Sequence, residues 1–265
     1  MVNIFLLKLV VTPTLMFLVS RIARRWGGML GGLVAGLPIT SGPIVVFIGV
    51  EQGTAFAAQT AAGALSGLAA VLFTYFFYLC VSRRLRIAAA CVVSLLFFAA
   101  CSWGFLQIGS PLVALIAGLA AIVAVVCFPQ SSRETADAKE TAETARRVAQ
   151  PSAWDIPVRM ITATSMLLII TASAHILGPH LAGILSPIPV IAWPLTIFTH
   201  AQGGRREMVT VAKANAVSAV GVMVFYLIIR HLVEVQGLGL TVTLALLASV
   251  VAAAGLDALL RRRLV

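Results

Sequence analysis

Charged residues are scarce in this sequence. Only 11% of its 265 residues are Asp, Glu, Lys or Arg, whereas 60% are hydrophobic. A soluble domain is typically about 45–50% apolar, so a water-soluble fold could not bury this much apolar surface. The apolar residues also lack the two-residue alternation of a membrane barrel and form long uninterrupted runs instead. The sequence therefore predicts an all-α, polytopic membrane protein in contact with the lipid bilayer.

The sequence also lacks the motifs of several enzyme classes. It has no HExxH zinc motif, no GxSxG nucleophile elbow, no P-loop and no acidic cluster able to hold Mg²⁺. Its four cysteines lie in apolar segments without CxxC spacing, which is typical of packing residues rather than metal ligands. We therefore expect no enzymatic activity, no cofactor and no metal site.

Nine apolar runs are long enough to be membrane spans. With nine spans, nearly all basic residues lie on one side of the membrane. The connecting segments alternate between two sides, one of which holds little but Arg230. The other side is expected to be cytoplasmic because lysine and arginine resist translocation, which puts the N-terminus outside and the C-terminus inside. The net charge of +10 is thus a topology signal rather than a nucleic-acid footprint. The predicted spans are 4–21, 28–51, 54–82, 86–106, 110–129, 157–177, 180–201, 207–231 and 238–260. The basic side holds Arg21, Arg24, Arg25, Arg83, Arg84, Arg86, Arg133, Lys139, Arg146, Arg147, Arg159, Arg205, Arg206, Arg261, Arg262 and Arg263.

An internal repeat divides the chain. Residues 33–53 (LVAGLPITSGPIVVFIGVEQG) resemble residues 181–204 (LAGILSPIPVIAWPLTIFTHAQGG), and each segment precedes a long helix rich in small residues. Spans 1–4 then match spans 6–9. Because the offset of five spans is odd, the second copy has the opposite orientation in the membrane. The arginines shift accordingly, as two copies of opposite orientation require. The predicted units are two inverted four-helix repeats (1–106 and 157–265), a connecting span (107–129) and a polar cytoplasmic linker (130–156).

The paired helix breaks are the predicted substrate site. In transporters with inverted repeats, such breaks lie near the membrane midplane and leave backbone groups free to bind a solute. A packing kink is the alternative interpretation. The predicted substrate-binding residues are Pro38, Thr40, Ser41, Pro43, Gln59, Ser186, Pro187, Pro189, Lys213 and Asn215.

Ionisable residues within the spans suggest gates. Glu51 and His200 hold corresponding places in the two repeats, and with Gln52 and Gln202 they are candidates for gating or proton coupling. Anchoring at the membrane interface explains them equally well. Lys8 lies near the end of its span, as does Lys213, and the long side chains are expected to snorkel to the interface. Gly63 and Gly67 predict a close helix contact, as does the series Gly28, Gly32 and Gly36.

The segment AGILSPIPVIAWPLTIFTHAQGG, residues 182–204, resembles the small GlpM-like bacterial membrane proteins. The likeness covers one helix pair of this longer chain, and the first half departs from it by carrying Glu51 where His200 stands in the second. The resemblance implies a multi-pass protein of the bacterial inner membrane, linked to envelope polysaccharide assembly.

Together these features favour a small secondary transporter or lipid flippase that works by alternating access. Lysines and helix ends near the breaks favour an anionic solute or a lipid-linked phosphate, although a transporter of neutral compounds would show the same pattern. A non-transporting subunit of an envelope-assembly complex is the alternative, and a membrane-embedded lipid enzyme is a third hypothesis. The sequence leaves open whether the chain pairs with a second copy or with a partner subunit.

Overall fold

The computed structural model describes residues 6–11, 13–14, 17–18, 38, 41–129, 155–187 and 192–263. Within these ranges the chain is helical apart from turns and short connections, and no strand occurs. The N-terminal described residues are helical but interrupted by residues that are not described. From Ser41 onward the described helices are α1 (Ser41–Gln52), α2 (Thr54–Val81), α3 (Ile87–Ile108), α4 (Pro111–Val126), α5 (Asp155–Leu185), α6 (Ala192–Gln236) and α7 (Leu238–Arg263).

Glycines with positive φ separate the short helices from the long ones. Gly53, with φ 92° and ψ 168°, ends α1 and begins α2. Gly204, with φ 73° and ψ −173°, divides α6 into residues 192–203 and 205–236. Gly178 divides α5 in the same way. Only glycine adopts this conformation without strain, so these positions turn the chain sharply between two helices.

Two helices form the centre of the molecule. The apolar window of α2 is 72% buried and that of residues 204–236 is 61% buried, whereas the corresponding window of α3 is 11% buried. The outer helices present large apolar side chains to their surroundings, with Leu96 at 66% and Val251 at 72% exposure. Within the described ranges, five helices are long and apolar enough to cross a membrane, and α1 and α4 are shorter apolar helices. Apolar side chains both in the centre and on the exposed faces of the outer helices are typical of a helical membrane protein.

Predicted and observed helix bounds agree closely where the chain is described. The spans predicted at 54–82, 86–106 and 110–129 correspond to α2, α3 and α4. The predicted span 180–201 is interrupted, because helix ends at Leu185 and resumes at Ala192. The polar linker lies outside the described residues except for its last two positions, and the total of nine spans stays a prediction.

The helices α2 and α5 touch backbone to backbone, as the glycine spacing predicts. A methyl group added at Gly63 would overlap the carbonyl oxygen of His180, and one at Gly67 would overlap that of Ile184. From the other side, a methyl group at Gly183 would overlap the carbonyl oxygen of Thr60. The close approach expected at Gly63 and Gly67 is therefore confirmed. Gly28, Gly32 and Gly36 lie outside the described residues.

One sequence displacement relates several helix boundaries. Ser41 and Ala192, which begin α1 and α6, are 151 residues apart. The same displacement of 151 separates Gly53 from Gly204. It also separates Ile87, the first residue of α3, from Leu238, the first residue of α7.

The two central helices run in opposite directions. Arg205, at the start of the long part of α6, hydrogen-bonds to Ser82 and Leu79 at the end of α2. Further along, Ala69 of α2 and Met223 of α6 both flank Gly118 of α4. Residue numbers therefore rise along α6 as they fall along the facing α2.

Candidate functional site

The second predicted break contains a turn at Ser186 and Pro187, both of which are buried. The backbone N–H of Ser186 donates to the carbonyls of Ala182 and Gly183, closing the end of α5. Its hydroxyl lies 2.9 Å from the hydroxyl of Tyr226, a fully buried residue of α6. This buried bond fixes the break against the second central helix.

A second polar cluster lies between α2 and both parts of α6. The Asn215 side-chain N–H donates to the Thr196 hydroxyl at 3.4 Å, and both residues are buried. The Tyr75 hydroxyl faces these two side chains. Among the described residues, however, no group completes a hydrogen bond to the Tyr75 hydroxyl or to the Asn215 Oδ1 atom. The cluster therefore holds hydrogen-bonding capacity that the fold does not use.

Aromatic rings cover this cluster toward the end of α2. The Trp193 ring contacts Tyr75 and Tyr78, with ring centroids 5.4 Å and 5.3 Å apart. Tyr78 in turn lies edge-on to His200, and its hydroxyl is 2.9 Å from His200 Nδ1. Trp193 and His200 both belong to the short part of α6, so this layer joins that part to the centre of the molecule.

Basic residues close the same end of the molecule, called here the arginine end. Arg205 donates to the Ser82 hydroxyl at 2.8 Å and to the Leu79 carbonyl at 2.7 Å. The guanidinium carbons of Arg83 and Arg205 lie 4.9 Å and 5.8 Å from the centre of the Phe128 ring. These contacts tie the ends of α2 and α4 to the start of the long part of α6.

The first predicted break precedes α1. Pro38 is buried in a turn, and its carbonyl accepts a hydrogen bond from Gly42 at 2.7 Å. Ser41 begins the helix and Pro43 is its third residue, where a proline costs little because that N–H has no helical partner. The Cβ position of Gly42 faces the Phe225 ring of α6. This break, like the second, therefore lies against a central helix.

An ion pair holds the other end of α1, called here the Glu51 end. Lys8 Nζ lies 2.6 Å from Glu51 Oε1, and the side chains are 6% and 25% exposed. The same ammonium donates to the Thr171 hydroxyl at 2.8 Å and lies 5.6 Å from the centre of the Phe47 ring. The snorkelling expected of Lys8 is wrong, because its charge is buried between the N-terminal helix, α1 and α5.

The two ends are far apart. Glu51 lies next to Gly53, where α2 begins, whereas His200 contacts Tyr78 in the last turn of α2. At about 1.5 Å per residue, the 28 residues of α2 span roughly 42 Å, more than the hydrocarbon core of a bilayer. Glu51 and His200 therefore lie at opposite ends of the molecule.

The remaining predicted site residues are more scattered. Gln59 is exposed on α2, and Gln52 is exposed at the end of α1, so neither joins the polar cluster. Lys213 is half-buried and interacts electrostatically with the Cys127 thiol. Thr40 and Pro189 lie outside the described residues, as does the side chain of Gln202. Their roles stay predictions.

Several residues of the cluster are missed by sequence reasoning. Tyr75, Trp193 and Tyr226 stand in apolar runs, where an aromatic residue resembles any other core residue. For Lys8, the distance to the end of its span does not reveal its partner. The one available signal is the displacement of 151 residues, which also separates Tyr226 from Tyr75.

Comparisons with known proteins give no match to a protein-family model, to a curated protein or to a solved structure. Among the described residues, no group of three or more His, Cys, Asp or Glu side chains could hold a metal ion.

Proposed function

We propose that this protein is a small secondary transporter or lipid flippase that works by alternating access between two inverted halves. The observation that carries the proposal is the single displacement of 151 residues that relates three helix boundaries while the central helices run in opposite directions. Inverted halves allow the same fold to open toward either side of a membrane.

Side-chain correspondences support the same relation. The displacement relates Pro38 to Pro189 and Pro43 to Pro194, so each half carries the same pair of prolines at its break. It also relates two contacts, because residues 42 and 193 correspond. Gly42 lies against Phe225 of α6, and Trp193 lies against Tyr75 of α2. Each break thus packs on the central helix of the opposite half.

The ion pair of Lys8 with Glu51 is the proposed gate at one end. It links the N-terminal helix to α1 and, through Thr171, to α5. Ionisable residues of membrane-spanning segments often mark a substrate or ion pathway, because charge is costly in hydrocarbon. Separating α1 from α5 would break this pair or the bond from Lys8 to Thr171 and open a path from the Glu51 end.

The layer of Trp193, Tyr78 and His200 is the proposed gate at the other end. Its rings lie between the polar cluster and the arginines. His200 could take up a proton when its bond to Tyr78 breaks, which would couple opening to a proton gradient. We take the arginine end as cytoplasmic, following the positive-inside rule, in a bacterial inner membrane.

The proposal can be tested by labelling a cysteine in the polar cluster from each side of a membrane. Thr196→Cys is made in protein lacking the four native cysteines and reconstituted in liposomes, with a membrane-impermeant maleimide added to one side at a time. Reaction from both sides is expected. Adding Glu51→Gln should increase reaction from the Glu51 side and decrease it from the arginine side.

Arg84→Cys is the control, because this exposed residue at the arginine end should react from one side only. If Thr196→Cys also reacts from one side only, and Glu51→Gln changes nothing, alternating access is wrong.

A further inference from the structure

The cluster of Tyr75, Thr196 and Asn215 contains two polar atoms that are buried without hydrogen bonds. Tyr75 is 3% exposed and Asn215 is 5% exposed. Within the described part of the chain, the Tyr75 hydroxyl faces the Thr196 and Asn215 side chains, but neither this hydroxyl nor Asn215 Oδ1 makes a hydrogen bond of normal geometry. Leaving such a group unpaired in a buried place costs about 1–3 kcal/mol, so most buried groups have partners. Two unpaired atoms in one cluster point to a bound group that completes them.

The unpaired atoms specify what that group must offer. The Tyr75 hydroxyl needs an acceptor, and the Asn215 oxygen needs a donor. A hydroxyl group on the ligand can serve as both, and a sugar or polyol presents several hydroxyl groups at short spacing. The Trp193 ring supplies an apolar wall beside Tyr75, so the cluster combines aromatic surface with a few orienting polar groups, as small-molecule sites usually do.

Charge in the neighbourhood argues against an ionic ligand. Two basic groups between the cluster and the arginine end are engaged elsewhere, since His200 bonds to Tyr78 and Arg205 bonds to Ser82 and Leu79. Lys213 lies toward Cys127. An anion beside Tyr75 would lose its hydration without gaining an opposite charge, which is strongly unfavourable.

We infer that Tyr75, Thr196 and Asn215 form a binding subsite for an uncharged polyhydroxyl group, carried by a free sugar or polyol or by a glycolipid headgroup. This departs from the anionic substrate favoured by the sequence. The inference rests on the proposed function, because it names the substrate class of the same transporter.

The depth of the subsite suits that role. Asn215 lies ten residues, roughly 15 Å, along the helix from Arg205, which marks the arginine end. The subsite is therefore about half of the way through a hydrocarbon core of ~30 Å. The layer of Trp193, Tyr78 and His200 separates it from the arginine end.

Binding is tested with the full chain in lipid nanodiscs, using glycerol, xylitol and glucose as neutral probes and glucose 6-phosphate as the charged probe. A neutral probe should raise the melting temperature, because it binds the folded state. Tyr75→Phe and Asn215→Leu should each weaken that binding about tenfold, the usual size of one lost hydrogen bond in a buried site.

Tyr226→Phe is the matched control, since it makes the same change at the corresponding position. It removes the bond to Ser186 and should lower the melting temperature while leaving the affinity for the probe unchanged. Tyr75→Phe should instead leave the melting temperature of the probe-free protein unchanged or raise it, because its hydroxyl has no bond to lose and its unpaired burial is costly. If the Tyr75 hydroxyl had a structural role, Tyr75→Phe would instead lower the melting temperature of the probe-free protein more than Tyr226→Phe does.

A second arm separates the two sources of the ligand. Liposomes containing the protein and a fluorescent glucosyl lipid report movement of a glycolipid headgroup across the bilayer. Binding by the free sugars with no lipid movement assigns the subsite to a soluble solute, and lipid movement that Tyr75→Phe abolishes assigns it to a glycolipid.

The inference is overturned if glucose 6-phosphate binds more tightly than glucose, or if neither the neutral probes nor the glucosyl lipid is bound. Binding of a neutral probe by a protein whose cluster is labelled from one side only would contradict transport and leave the subsite intact. The two failures are therefore distinguishable.

Discussion

Three helix boundaries recur along the chain at one displacement, but the two ends of the molecule are held by different chemistry. At the Glu51 end, α1 is fixed by an ion pair with Lys8, a residue 5% exposed. At the arginine end, the short part of α6 is fixed by the neutral pair of Tyr78 and His200, and Arg205 bonds to the end of α2. Removing one partner of a buried ion pair costs about 3–5 kcal/mol, whereas removing one partner of a neutral buried hydrogen bond costs about 1–3 kcal/mol. The two ends should therefore differ in how strongly they resist opening.

The largest effect is expected from removing one partner of the ion pair. Glu51→Ala leaves the Lys8 ammonium buried with Thr171 as its one polar partner among the described residues, and should destabilise the protein by about 3 kcal/mol. The measurement is the free energy of unfolding in mixed micelles. The double variant Lys8→Met with Glu51→Leu should recover most of the loss, because it leaves no unpaired charge. Equal destabilisation by the single and double variants would show that the pair's packing, not its charge, matters.

The arginine end should respond next. Arg205→Ala removes two charge-assisted hydrogen bonds to the end of α2 and should cost about 2 kcal/mol. The same unfolding measurement on Arg206→Ala, which changes the exposed neighbouring arginine, should give no loss. If both variants lose the same amount, the effect comes from net charge and not from the bonds of Arg205.

The close contact that distinguishes one central helix, α2, from the other can be tested by replacing glycine with alanine. Gly67 of α2 lies against the backbone of α5, whereas the residue 151 positions later is Ser218, whose hydroxyl donates to the Asn215 carbonyl. Gly67→Ala should destabilise the protein by about 1–2 kcal/mol, since the backbone of α5 must move. Gly104→Ala is the control, because open space surrounds that position. It should be neutral or slightly stabilising, and a similar loss at both sites would refute the close contact.

The smallest effect separates the two corresponding tyrosines. Tyr226→Phe should cost about 1 kcal/mol through its lost bond to Ser186, whereas Tyr75→Phe should be neutral or stabilising, because it removes an unpaired buried hydroxyl. Thermal unfolding of the two variants beside the parent protein checks this. Equal losses would mean that both hydroxyl groups are paired in the folded state.

The helices are predictable because apolar runs and basic ends are strong signals. The bounds of α2 and α3 agree with the predicted spans to within two residues. Prolines also predict both breaks, since Pro38 and Pro187 lie in turns. The repeat alignment drawn from the sequence pairs Gly53 with Gly203 and Glu51 with His200, whereas the displacement of 151 residues pairs Gly53 with Gly204 and Glu51 with Gln202.

The site is less predictable, for physical reasons. Of the predicted substrate-binding residues, Ser186 and Asn215 make buried polar contacts, while Gln59 is exposed. Whether a residue in an apolar run faces lipid or the centre depends on helix rotation. That rotation is set by packing, and a helix that is apolar on all sides carries no pattern that shows which side faces the centre. Tyr75 can be found only by aligning it with Tyr226.

The most direct test of the account is a pair of spin-label distances in nanodiscs, one across each end of the molecule. Labels at exposed positions 50 and 176 span the Glu51 end, and labels at 84 and 206 span the arginine end. The account predicts two populations whose distances change in opposite senses, with Glu51→Gln favouring a longer distance at the Glu51 end and a shorter one at the arginine end. Single distances that Glu51→Gln leaves unchanged would contradict it.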